Sequence, residues 1–160
     1  ALIKAGLLPT SGIWAEHRPA TLTHNESGRF ECRWVTLTPN PESHCVFTRE
    51  LMEPIFCPVA HGEGRVVPRD HEALAAYESG GQVTLRYSGS DGDPTAYPCN
   101  PNGSVNHIAA LCNPAGNVMG MMPHPEDHIM ELQRPLGRSD ALGGLGLVLF
   151  EQGVRYAEQL

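Results

Sequence analysis

The period of the apolar positions changes along the chain, and each change predicts a new element. Ala1 to Ala5 are helix-forming residues that run into Gly6, a good left-handed terminator, with Pro9 close behind to prevent a restart. From Leu22 the period shortens to two. Phe30, Cys32 and Trp34 alternate with Glu31, Arg33 and Val35, and Val46-Phe47 and Ile55 to Ala60 are short apolar runs bounded by polar residues or proline, so all three stretches read as strand. Asp70 to Ser79 predicts a short surface helix, with Leu74 and Tyr77 at helical spacing and Gly80-Gly81 ending it. Gln82 to Tyr87 alternates as a strand. Ser88 to Ser104 is dense in Gly, Pro, Asn and Asp and predicts no regular structure; with strands on both sides it reads as an excursion from one domain, not a boundary. Ile108 to Leu111 and Val118 to Met122 predict a hairpin closed by the turn at 113–117. Leu145 to Tyr156 predicts a terminal helix that packs Leu147, Phe150 and Val154 on a sheet.

Composition narrows the classes. A chain of 160 residues suggests about one domain. Its 18 acidic against 11 basic residues give a formal net charge of -7 and no basic cluster, which argues against nucleic acid as a partner. No apolar stretch approaches the roughly 20 residues that span a bilayer, and the start lacks a secretory signal, so the reading is soluble, with no membrane partner. Five cysteines, at 32, 45, 57, 99 and 112, form no C-x-x-C pair and fit a reduced, cytoplasmic setting.

His124 and Glu126 are the first candidates for chemistry. His124 precedes a proline and is pushed toward extended geometry, and alternate positions of an extended chain face the same way. A carboxylate beside an imidazole fixes its tautomer and stabilises the imidazolium formed on proton transfer. Two residues alone more readily describe a loop histidine paired with its neighbour, since ion pairs also perturb titrations without a function. The second candidate is Ala60-His61-Gly62-Glu63-Gly64-Arg65, where two glycines let backbone approach a ligand; a strand-ending turn with exposed charges fits the same letters. A zinc deaminase would add P-C-x-x-C downstream of H-x-E, and Pro98-Cys99-Asn100-Pro101-Asn102 lacks the second cysteine. A metal held by His124 and His128 would need a helix across Pro125. Ser90-Asp91-Gly92-Asp93 lacks the other ligands of a calcium loop and reads as a solvated turn. Trp14, Trp34, Phe47 and Phe150 read as core or interface aromatics. No cysteine carries the flanking glycines of a strand-to-helix nucleophile elbow.

Taken in order, Asn25-x-Ser27-Gly28-Arg29-Phe30-x-Cys32-Arg33-Trp34, Cys57-Pro58-Val59-Ala60-His61-Gly62-Glu63-Gly64-Arg65, Asn100-Pro101-Asn102-Gly103-Ser104 and Gly120-Met121-Met122-Pro123-His124-Pro125-Glu126 closely resemble the glutaminase subunits of phosphoribosylformylglycinamidine synthase, which are class I, triad-type glutamine amidotransferases. His-Pro-Glu alone marks the broad class; the Arg-Phe-x-Cys-Arg-Trp and Ala-His-Gly-Glu-Gly-Arg segments select the purine-pathway subunit.

The resemblance implies an α/β fold with an open, mostly parallel sheet and helices on both faces, in which residues 1–160 are the C-terminal part of one amidotransferase domain. It implies a Cys-His-Glu triad with His124 and Glu126 as the second and third members. The family's nucleophile lies in Gly-x-Cys-x-Gly-x-Gln, followed by residues like Ala1 to Pro9, so the cysteine is expected just upstream of Ala1 and the chain is expected to be inactive alone. His61, Gly62 and Glu63 are expected to hold the amino-acid end of glutamine, with Asn25 and Arg29 as weaker candidates for that neighbourhood or for a partner interface. The implied partners are a synthetase subunit, which uses ATP and magnesium, and a small bridging subunit; no cofactor or metal is expected in this chain. The competing readings are a non-catalytic module that binds the synthetase and a zinc hydrolase using His61, His124 and a cysteine.

Overall fold

A computed structural model describes residues 1–10, 19–89, 96–137 and 142–160. Seven strands and two α-helices follow one another in it: β1 (Ala20–Thr23), β2 (Glu31–Pro39), β3 (Ile55–His61), β4 (Arg65–Pro68), α1 (His71–Ser79), β5 (Val83–Ser88), β6 (Ile108–Cys112), β7 (Met119–Met121) and α2 (Leu147–Ala157). Five strands form one sheet in the order β3-β2-β5-β6-β7, and β1 pairs separately with β4.

The α/β class is as the sequence implies, but the strand orientation differs from the expected parallel sheet. Every named strand pair among the described residues is antiparallel, and a parallel contact occurs as the isolated bridge between Ile55 and Gly144. Parallel neighbours need a crossover of a dozen or more residues, usually helical. Here α1 connects β4 of the small pair to β5 of the larger sheet, while β6 and β7 are joined by a tight turn that allows only antiparallel pairing.

Two apolar clusters make the core. One gathers Val35, Leu37, Ile55, Cys57, Val59, Leu85 and Tyr87 under Leu149 of α2; the other gathers Ala20, Val66, Val83, Ile108 and Leu111 with Ala73 and Tyr77 of α1. In β2 Val35 and Leu37 are buried because they stand opposite Cys57 and Ile55 of β3 in one apolar layer, and Glu31, opposite His61, is buried as an acceptor for Ser27 and Arg33. The alternate set faces outward: Phe30, just before the strand, is 67% exposed and Cys32 is exposed, whereas Trp34 is covered by the Phe56 and His128 rings.

Several local predictions hold for stated reasons. The helix predicted over 70–79 forms as α1 and stops at Gly80, whose N–H closes on the Ala76 carbonyl; Asp70, expected as its first residue, instead caps it by accepting from the Ala73 N–H. β6 and β7 form the predicted hairpin. Residues 1–7 make a single helical turn closed at Gly6 by the paired bonds Leu7 N–H to Leu2 O and Gly6 N–H to Ile3 O. Val46-Phe47 is not a strand but part of a turn, since two residues cannot sustain a ladder. Trp14 and the Ser90 to Asp93 cluster lie outside the described residues. No helix among the described residues is long and apolar enough to cross a membrane.

The terminal helix departs most from expectation. Leu149 and Gln152 are its buried residues, while Phe150 and Val154 are 46% and 59% exposed. Of the predicted stripe, Phe150 and Val154 therefore line an open cavity instead of packing on the sheet. Leu37→Ala, at a site with no exposure, is expected to cost about 2–5 kcal/mol in urea unfolding, whereas Phe150→Ala is expected to cost about 1 kcal/mol or less.

Candidate active site

β3 lies at the edge of the five-stranded sheet, so one side of its backbone has no strand partner. Pro58 sits in this edge strand, where a missing N–H leaves no ladder bond unmade. Its carbonyl accepts the His124 N–H at 2.8 Å, and Val59 bridges Pro123. His124 (φ −109°, ψ 82°) avoids the helical region, as the following proline requires, but falls short of the extended geometry predicted for it. Pro125–Asp127 then form a 3-10 turn in which Asp127 N–H reaches His124 O and His128 N–H reaches Pro125 O, both at 3.2 Å. That turn, not strand alternation, brings the side chains together.

His124 Nδ1 and Glu126 Oε1 are 2.8 Å apart. With Nδ1–H donating to the carboxylate, Nε2 is left as an open acceptor, the arrangement of a general base. Partial burial pushes the Glu126 carboxyl up, but the hydrogen bond to His124, a bond to its own backbone and the imidazole charge outweigh it and hold the group below its ordinary 4.5. The pair opens on a cavity of about 720 Å³ whose walls include Leu2, Phe47, Met121, Phe150 and Val154. These walls are mainly apolar, while the pair itself stays about half exposed to solvent.

The other candidates gather in a separate loop cluster at the end of β3. Asn25 is buried and joins the turn after β1 to the turn after β3: its Nδ2 donates to Arg29 O at 2.8 Å and His61 O at 2.7 Å, and its Oδ1 accepts from Gly64 N–H at 3.2 Å. Two carbonyl partners fix which end of the amide is nitrogen. His61 Nδ1, 3.0 Å from Asn25 Oδ1, must then carry the proton. On the other side Asn102, with no exposure, points its Nδ2 at Gly64 O at 2.9 Å and at His61 Nε2 at 3.4 Å. His61 is thus enclosed as a neutral ring, and a Cβ at Gly64 would lie 2.5 Å from it. Burial holds His61 below its ordinary 6.5, with the His124 charge acting in the same direction and Glu31 opposing it.

None of His61, Gly62, Glu63, Asn25 and Arg29 lines the His124 cavity. The Glu63 side chain is 64% exposed and 3.4 Å from His24, and the Arg29 residue is exposed. Asn25 and His61 have their polar atoms committed to the loops themselves, and the Gly62 carbonyl accepts the Asn25 N–H at 3.0 Å, so they shape the Gly62-Glu63 turn, while the exposed Glu63 side chain faces solvent beside His24. Asn102 is a site residue that residue-level reading passed over; the signal was its place in Asn100-Pro101-Asn102-Gly103-Ser104, where amides can bond backbone at short range.

None of the five cysteines lines the His124 cavity. Cys57, one residue before the Pro58 anchor, is fully buried, and its thiol is driven far up by desolvation and by the charges of Glu126 and Asp127. Cys45 and Cys112 are buried; Cys32 and Cys99 line a different cavity with Trp34 and Pro135. Among the described residues no three His, Cys, Asp or Glu side chains are grouped to hold a metal ion.

Comparison with known proteins gives the geometry a context. A family model described as the CobB/CobQ-like glutamine amidotransferase domain matches residues 1–157. The phosphoribosylformylglycinamidine synthase subunit PurQ of Treponema denticola is 38% identical over 169 residues, which cover 97% of this chain and 62% of that protein. Its counterpart in Salinibacter ruber is 44% identical over 152 residues, covering 94% and 56%. A chain in the structure of PurLQS from Thermotoga maritima superposes with a TM-score of 0.64 at 33% identity, covering 98% of this chain and 57% of that one. The chain spans about three fifths of the length of the curated relatives it matches.

Two outcomes test the loop cluster. Because the folded protein resists protonation of His61, the unfolded chain binds more protons below pH 6.5, and stability falls as the pH drops from there toward the lowered folded value. Chemical unfolding between pH 7 and pH 5 should show a smaller loss in His61→Gln than in the unsubstituted chain. Asn25→Ala, which unpairs Gly64 N–H and two carbonyls, is expected to cost about 2–4 kcal/mol at pH 7 in the same measurement.

Proposed function

Because the chain belongs to the CobB/CobQ-like glutamine amidotransferase family, we propose that it carries the acid-base half of a glutaminase that supplies ammonia to phosphoribosylformylglycinamidine synthase in purine biosynthesis. The observation that carries this reading is the 2.8 Å contact between His124 and Glu126 at the mouth of an apolar cavity.

In this mechanism a cysteine outside these 160 residues is the nucleophile. His124 Nε2 takes the thiol proton, and the thiolate attacks the carboxamide carbon of glutamine, forming a carbon–sulfur bond. As the carbon–nitrogen bond breaks, the imidazolium returns the proton to the leaving ammonia. Water, deprotonated by the same ring, then hydrolyses the thioester to glutamate and regenerates the thiol. Glu126 holds the tautomer and offsets the positive charge at both steps. Two features support an outside nucleophile: Cys57, adjacent to the Pro58 whose carbonyl bonds His124, is buried and hard to ionise, and Leu2, in the segment that follows the nucleophile in the resembled sequences, lines the same cavity as His124.

The His61-Gly62-Glu63 turn would hold the amino-acid end of glutamine through backbone groups and the exposed Glu63 carboxylate, on a frame set by Asn25. Arg29, exposed beside it, suits that carboxylate-bearing substrate or a partner surface. The ammonia would pass to a synthetase subunit using ATP and magnesium, with a small bridging subunit in the complex.

The test is reconstitution. The chain alone should release no ammonia from glutamine. Mixed with, or fused to, the upstream segment of a PurQ relative carrying the cysteine motif, it should gain glutaminase activity. His124→Ala should then lower kcat/KM by at least about a thousandfold, and Glu126→Gln by less. Glutamine hydrolysis by the chain alone that one of its five cysteines abolishes would overturn the outside nucleophile. A folded, reconstituted assembly without activity would favour a non-catalytic binding module.

A further inference from the structure

His128 has no part in the chemistry above, yet it is among the most completely buried polar residues of the protein, with no exposure. Its ring stands edge-on to Trp34 at 5.1 Å and to Phe56 at 6.2 Å. Nδ1 lies 2.5 Å from the Phe56 carbonyl oxygen, and Nε2 is buried with no hydrogen-bond partner among the described residues. A carbonyl can only accept, so Nδ1 carries the proton.

The position of this bond matters. Phe56 and Pro58 are two residues apart on β3, so their carbonyls point to the same free edge, about 7 Å apart. Pro58 O accepts the main-chain N–H of His124, and Phe56 O accepts the side chain of His128. The five residues 124–128 are therefore fastened to one strand edge at both ends, with Glu126 between the fastenings. Gly146 N–H also reaches His128 O at 2.7 Å, and a Cβ on Gly146 would collide with Pro125. The His124 and Glu126 side chains are themselves 40% and 56% exposed, and solvent screens an exposed ion pair so that it contributes little. It is too weak to hold its own geometry; the turn must supply it.

We propose that His128 is a positioning residue that holds Glu126 against His124 by capping the edge carbonyl of Phe56. The inference rests on the glutaminase reading for its purpose, but the contact it predicts can be read without any activity. The probe is the Glu126 carboxyl, whose titration in the folded chain follows from 13C-detected NMR. In the unsubstituted chain it titrates below 4.5, in part because His124 bonds it. Three variants are compared. His124→Ala removes the partner and should raise the Glu126 titration. His128→Leu keeps bulk but removes the donor, and should raise it in the same direction while the chain stays folded. His128→Asn places an amide donor near the position of Nδ1 and should restore the low value. In the reconstituted glutaminase, His128→Leu should lower kcat with KM little changed.

A folded His128→Leu chain with Glu126 titrating as in the unsubstituted protein would overturn the proposal. So would a folded His128→Asn chain that behaves like His124→Ala. Should the leucine variant not fold, 15N shifts of the His128 ring in the unsubstituted chain still decide: a protonated Nδ1 supports the cap, and a protonated Nε2 overturns it. Absence of glutaminase activity with these NMR results intact would count against the enzymatic reading and leave the positioning role standing.

Discussion

The outer edge of β3 presents backbone groups that no strand satisfies, and the way they are met organises the rest of the molecule. Phe56 N–H donates to Gly144 O, Pro58 O accepts from His124, and Phe56 O accepts from His128. Unpaired backbone at a sheet edge is both costly when buried and a template for association. Covering it with the 123–128 turn and the Gly143–Gly146 segment removes that liability and at the same stroke fixes where an imidazole and a carboxylate stand. The proline at position 58 belongs to the same solution, because its carbonyl is used and its missing N–H is not needed there.

The two faces of β3 then carry different loads. Ile55, Cys57 and Val59 enter the main apolar cluster with Val35 and Leu37 of β2. The opposite face is closed by Trp34, Phe56 and His128, with the Arg134 guanidinium 5.9 Å above the Phe56 ring and Thr36 bonded to the Leu142 carbonyl. Deep burial on one face explains the high Cys57 thiol; aromatic packing on the other makes room for a histidine that serves structure. At the end of the strand, Asn25 and Asn102 hold the His61 turn from two sides. Side-chain amides suit this task because each offers both donor and acceptor without charge, so the loops are fixed without burying an ion.

The cavity beside His124 joins elements far apart in the sequence: the first turn through Leu2, the turn at Phe47, strand β7, and the outer stripe of α2. Its residues account for the amphipathic pattern of the terminal helix, whose apolar face does two jobs. Leu149 anchors the helix to the sheet, and Phe150 and Val154 line the site.

Much of this was legible in the residues. Local rules are decided by near neighbours, so the helix stop at Gly80, the Gly6 terminator, the 113–117 hairpin and a non-helical His124 before Pro125 could be read from short segments. The family motifs likewise selected His124 and Glu126. The sequence could not say which parity of β2 would be buried, since Phe30-x-Cys32-x-Trp34 alternates as well as the set that is buried, and only pairing with β3 chose between them. Nor could it separate His61 from His124 as two imidazoles with different fates. One is enclosed by amides from loops 36 and 41 residues away in the chain, the other opens on a cavity. Near-neighbour sterics and hydrogen bonding belong to the sequence; burial, tautomer and the use of an edge carbonyl depend on what long-range folding places alongside, and those were settled only in the tertiary structure.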